Sequence, residues 1–77
     1  MVYYVLEFQT GESSGAVLPV AYTDRATAEA AYHTILSAAA TSNVRKHGAM
    51  LCNEDMFIIK QDIYTHYEHE PTEQDNT

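Results

Sequence analysis

Asp24-Arg25-Ala26-Thr27-Ala28-Glu29-Ala30-Ala31-Tyr32-His33-Thr34-Ile35-Leu36-Ser37-Ala38-Ala39-Ala40 is the stretch that decides the fold. Ala28, Tyr32, Ile35, Leu36 and Ala39 recur at helical spacing, with Ala31 beside them, and make one apolar stripe. Seven alanines between Ala26 and Ala40 add the best helix propensity of any residue. Asp24 is suited to cap the first turn, where its carboxylate accepts from free backbone N–H groups and complements the helix dipole. The spacing predicts a helix that starts at Asp24 and ends near Thr41-Ser42-Asn43.

On both sides of this helix the hydrophobic period changes from 3.6 to two. Val2 to Gln9 alternates, with Val2, Tyr4, Leu6 and Phe8 on one side and Tyr3, Val5, Glu7 and Gln9 on the other. Thr10-Gly11-Glu12-Ser13-Ser14-Gly15 is a loop. Ala16 to Tyr22 reads as a second strand. Pro19 inside it lacks a backbone donor and argues for a sheet edge. Val44 to Cys52 reads as a third strand, Asn53-Glu54-Asp55 as a turn, and Met56 to Tyr67 as a fourth strand. The order β-β-α-β-β predicts an α+β fold: a four-stranded, mostly antiparallel sheet with one helix on one face. The expected core is Tyr4, Leu6, Phe8, Tyr32, Ile35, Leu36, Leu51, Ile59 and Ile63.

Seventy-seven residues hold one domain. It is expected over residues 1–67, followed by a disordered acidic tail over 68–77. That tail contains Pro71, four carboxylates and no aliphatic or aromatic side chain. The chain carries four Lys/Arg against eleven Asp/Glu, a formal charge of −7. Such a balance disfavours direct nucleic-acid binding, which calls for a basic surface, and an anionic membrane as partner. The first residues lack a basic region and the apolar run stops at Glu7, unlike a signal peptide. The lone cysteine, Cys52, fits a reducing compartment, so a cytoplasmic location is expected.

One helix covers one face of a sheet, yet the strands carry apolar residues on both. The other face is either a modest wet surface or a subunit interface. A chain this short has a small core of its own, which favours a homo-oligomer. Ala30, Thr34 and Ala38 form a ridge of small residues away from the main stripe. Good helix formers on a solvent face account for it equally well.

Little in the chain points to catalysis. There is no Gly-rich phosphate loop, no H-E-x-x-H and no G-x-S-x-G. Cys52 reads as a small apolar strand residue rather than a nucleophile. His66 and His69 lie three apart, a spacing that puts them on opposite strand faces, so no metal site is expected. No cofactor is expected either. Arg45-Lys46-His47 is the one basic cluster and holds half of the Lys/Arg. It is either ordinary charge at a strand end or an anion site. For the second, Arg45 supplies a bidentate fork to a phosphate and His47 a nearby donor or acceptor. In an extended strand Arg45 and His47 share a face and Lys46 does not. Arg25 at the helix start is a candidate helper, and Tyr32 and His33 are candidate stacking partners for a base.

Three stretches carry a resemblance: Tyr3-Tyr4-Val5-Leu6-Glu7, then Tyr32-His33-Thr34-Ile35-Leu36 leading into Ala38-Ala39-Ala40, and His47-Gly48-Ala49-Met50-Leu51 followed by Asn53-Glu54-Asp55. They resemble small hypothetical proteins of phages and prophages. The resemblance implies a counter-defence factor in the cytoplasm of an infected host cell. Two mechanisms come with that class. One is a non-enzymatic, oligomeric sponge that sequesters a nucleotide immune signal. The other is an acidic inhibitor of a host nuclease, of the anti-CRISPR type. A minor virion or assembly protein is a third reading. The acids of the folded part, Glu7, Glu12, Asp24, Glu29, Glu54, Asp55 and Asp62, are scattered over several elements. That scatter weighs against a nucleic-acid mimic and toward the sponge, with Arg45, Lys46, His47, Tyr32, His33 and Arg25 as its ligand-binding residues.

Overall fold

The computed structural model describes residues 1–66. The expected tail at 68–77 and His69 lie outside them. The elements are β1 (Tyr3–Thr10), β2 (Gly15–Tyr22), α1 (Arg25–Thr41), β3 (Lys46–Asn53) and β4 (Ile58–Thr65). This is the expected α+β fold. All four strands form one sheet in the order β2-β1-β3-β4, with every neighbouring pair antiparallel.

Asp24 caps α1 as its position implied. Its Oδ2 accepts from the Thr27 backbone N–H at 2.9 Å and from the Thr27 hydroxyl at 2.8 Å. Those donors, the hydroxyl first, hold the Asp24 carboxyl below the usual carboxylate range. At the other end the Ser42 N–H donates to the Ala39 carbonyl at 3.3 Å. His66 Nε2 reaches the same oxygen at 2.8 Å, so a side chain of the segment after β4 satisfies a helix-end acceptor.

Strand β2 lies at an edge, where Pro19 costs no internal ladder bond. Strands β2 and β3 each run antiparallel to β1, so they are parallel to one another and α1 is the crossover between them. The face covered by such a crossover is set by its handedness. That face is the one bearing Tyr3, Val5, Glu7 and Gln9, not the expected Tyr4, Leu6 and Phe8. Val5, Ala28, Tyr32, Ala49 and Leu51 form the buried cluster, with Tyr3, Tyr22, Ala31, Ile35, Leu36 and Ile59 packed against it. Tyr4, Leu6, Phe8 and Ile63 are therefore corrected from core to the open face. Both sets of β1 are apolar enough for either role, which is why alternation did not distinguish them.

Strand β4 departs from strict alternation. Leu51 pairs with Lys60 but Cys52 pairs with Ile58, so Ile59 is an extra residue in a β-bulge. The bulge lets Ile59 reach the core while Ile58 and Ile63 both share the open face. The β3–β4 turn is built by Asn53. Its Oδ1 accepts from the N–H groups of Asp55 and Phe57 at 2.9 and 3.1 Å. Met56 within that turn has φ 71°, the left-handed region.

Candidate functional site

The helix-facing side of the sheet turns polar beneath the C-terminal end of α1. Inward positions alternate along β1 and β3, which sets Glu7 opposite Ala49 and Gln9 opposite His47. His47 is buried, and both of its ring nitrogens are engaged. Nε2 lies 2.6 Å from Glu7 Oε2 and Nδ1 lies 2.9 Å from Ser42 Oγ. An ionised carboxylate only accepts, so Nε2 carries the proton that goes to Glu7. With the ring neutral, Nδ1 accepts the Ser42 hydroxyl proton. Ser42 Oγ in turn accepts the Val44 N–H at 3.2 Å, and Gln9 Nε2 donates to Glu7 Oε2 at 3.1 Å. The chain Gln9–Glu7–His47–Ser42–Val44 thus ties the end of α1 to β1 and β3.

This network makes His47 a clamp. A His47→Ala substitution removes the donor to Glu7 and the acceptor of the Ser42 proton. We expect a loss of about 1–3 kcal/mol, read as a lower urea midpoint with an unchanged slope. A loss below roughly 0.5 kcal/mol would show that the network does not hold the helix end to the sheet.

Arg45 precedes β3 at the same end of the molecule. Its Nε donates to the Gly11 carbonyl at 3.4 Å, and its own carbonyl accepts the His66 N–H at 2.7 Å. The ion pairs of the described residues are Arg25 with Glu29 at 2.9 Å and Lys60 with Glu29 at 3.6 Å, and His47 with Glu7 is one only when the imidazole is protonated. Arg45 and Lys46 enter none of them. Lys46 pairs across the sheet with Thr10 and Thr65 and occupies the open face, the side away from His47. The basic cluster is therefore split between the two faces, as strand alternation requires.

The other nominated residues lie elsewhere. Tyr32 is in the core, with its ring enclosed, and does not present a face to a ligand. Burial, and then the charges of Asp62 and Tyr64, push its phenol above the usual range. His33 is exposed and meets Tyr32 edge-on at 5.3 Å. Arg25 begins the helix, whose 17 residues span roughly 25 Å, so it sits far from Arg45. The Arg25 guanidinium is the main cause that lowers the Glu29 carboxyl below its usual range.

Residues outside the nominated ligand set take their place. Tyr64 and His66 stack with ring centroids 6.4 Å apart and planes within 11°. His66 is the backbone partner of Arg45, so an aromatic pair and a guanidinium come from adjacent strand ends. Their sequence signal is period two: Tyr64 and His66 are two apart and share a face. Glu7 and Gln9 carry the same signal as the polar members of an otherwise apolar alternation.

A hollow of about 430 Å³ lies on the open face, over β3 and β4. Phe8, Gly48, Met50, Gln61 and Ile63 line it, with Ala49 and Asp62, whose strand positions alternate toward the helix side. None of the six nominated ligand residues lines it. No helix among the described residues is long and apolar enough to cross a membrane. Comparison with protein-family models, with curated proteins and with solved structures finds no match.

Proposed function

We propose that this chain is a non-enzymatic, homo-oligomeric binding protein of the infected-cell cytoplasm, a sponge that sequesters a nucleotide-type immune signal without altering it. The observation that carries the reading is Arg45: a cation without a carboxylate partner among the described residues, next in the sheet to the Tyr64–His66 stack. A nucleotide needs both elements, a charged fork for phosphate and an aromatic surface for the base. Arg45 supplies the first, and Tyr64 with His66 the second. Lys46 adds positive potential at the same end from the opposite face. Among the described residues Arg45 and Lys46 are the Lys/Arg side chains outside the ion pairs, which favours an anion at this end of a chain of net charge −7. The acidic-inhibitor reading receives less support, because the described carboxylates are dispersed over the helix, the loops and both hairpins.

Calorimetry with cyclic di-AMP, cyclic di-GMP and ADP-ribose tests this reading. Binding of at least one is expected. Arg45→Glu should weaken it at least tenfold, about 1.4 kcal/mol, with the far-UV spectrum retained. The absence of binding to every member, or equal binding by the Arg45→Glu protein, would contradict it. Ligand returned chemically changed would make the protein an enzyme and direct attention to Ser42, whose hydroxyl proton points at His47 Nδ1.

A further inference from the structure

The open face of the sheet is lined by four positions from each strand. Leu6 and Phe8 of β1, Val17 of β2, Met50 of β3, and Ile58 and Ile63 of β4 are its main apolar members. Val17, Ile58 and Ile63 are 50%, 51% and 55% exposed. Among the described residues no carboxylate lies on this face, and Lys46 at one corner is its only charge. Every acid of the folded part is on the helix side, in a loop or in a turn.

We propose that this face is the interface with a second copy of the chain, packed sheet to sheet with the helices outside. The proposal deepens the oligomer in the reading above and is tested without ligand, so that a failed dimer and a failed ligand site are told apart. Three observations select a second copy. First, two strongly acidic chains repel one another, and a two-fold contact sets the same patch against itself. A patch without carboxylates meets itself without that like-charge cost. Second, four strands of eight residues make a face of roughly 25 by 20 Å. Two such faces remove about 1,000 Å² or more from water, the scale at which specific interfaces begin. Third, the hollow beside Gly48 gives the partner's apolar side chains a seat. The β2 edge is a poorer route to assembly because Pro19 interrupts its donors. The chain beyond residue 66 brings four carboxylates and no aliphatic side chain, which makes it a poor cover for this surface.

The test is light scattering after gel filtration, at high micromolar concentration, on the full chain and three variants. Wild type is expected at twice the chain mass. Ile63→Glu and Val17→Glu each place a carboxylate on the proposed interface at a site that one copy leaves exposed. They should weaken dimerisation at least tenfold and elute at the mass of one chain, with the far-UV spectrum kept. Leu18→Glu puts the same charge on the opposite side of β2, where Leu18 is 51% exposed, and should remain dimeric. A monomeric wild type overturns the proposal. So does a dimer that survives both Ile63→Glu and Val17→Glu, or one that only Leu18→Glu dissociates. A higher oligomer that drops to a dimer in Ile63→Glu and Val17→Glu but not in Leu18→Glu would keep this face as one of its contacts, and one that neither of the two reduces would overturn the proposal.

Discussion

Gly48→Ala is expected to strain the pairing of β3 with β4 and to lower the stability of the protein strongly. A Cβ on residue 48 would fall inside contact distance of the Asp62 carbonyl oxygen and 2.9 Å from the Ile63 Cα. Both obstacles are backbone of the neighbouring strand, so no rotamer change relieves them. Either the ladder between His47–Tyr64 and Ala49–Asp62 opens or β3 shifts away from α1. Overpacking of this kind costs about 3 kcal/mol or more. A domain of this size holds roughly 5–10 kcal/mol in total. Chemical denaturation should give a much lower midpoint, and hydrogen exchange should show the loss first in β4. A midpoint within experimental error of wild type would mean that the two strands do not approach so closely.

Leu51→Ala should be the most costly truncation of the core. Leu51 is 0% exposed and lies in β3 between β1 and β4, beneath the helix. Its cross-strand partner Val5 is the other large side chain that is fully enclosed. The helix meets them with Ala28, which has no length to spare for filling a void, and with the ring of Tyr32, which is itself enclosed in the cluster. The site therefore collapses poorly, and the loss should fall in the upper part of the range of about 2–5 kcal/mol. Leu36→Ala removes a side chain that is only partly buried and should cost less. Equal losses at the two positions would contradict the packing described here.

The element order was legible because each segment carries its own period. The alanine-rich stripe, the Asp24 cap, the Gly and Ser loop and the edge proline each act locally, and each took its expected place. The side of the sheet that α1 covers was not legible from β1. Tyr4, Leu6 and Phe8 look more like a core set than Tyr3, Val5 and Glu7, but crossover handedness has no signature in an alternating strand. The bulge at Ile59 was hidden for a related reason. One added residue reverses the faces of everything beyond it, and Met56 to Thr65 contains apolar residues in both registers. At the candidate site, the separation of Lys46 from Arg45 and His47 followed from alternation. The pairing of His47 with Glu7 and Ser42 did not, because it joins residues 40 and five positions apart across three elements. Tyr32 was nominated as a stacking residue although its place in the helical stripe already favoured the core.

Native mass spectrometry of the protein purified from cells that produce the nucleotide signal tests the central claim most directly, since it reads assembly and ligand together. The account predicts an even-numbered assembly that carries an added mass matching an intact, phosphate-containing nucleotide. The Arg45→Glu protein should show the same assembly without that mass. A chain that flies as a bare monomer, or an assembly whose added mass is unaffected by Arg45→Glu, would contradict it.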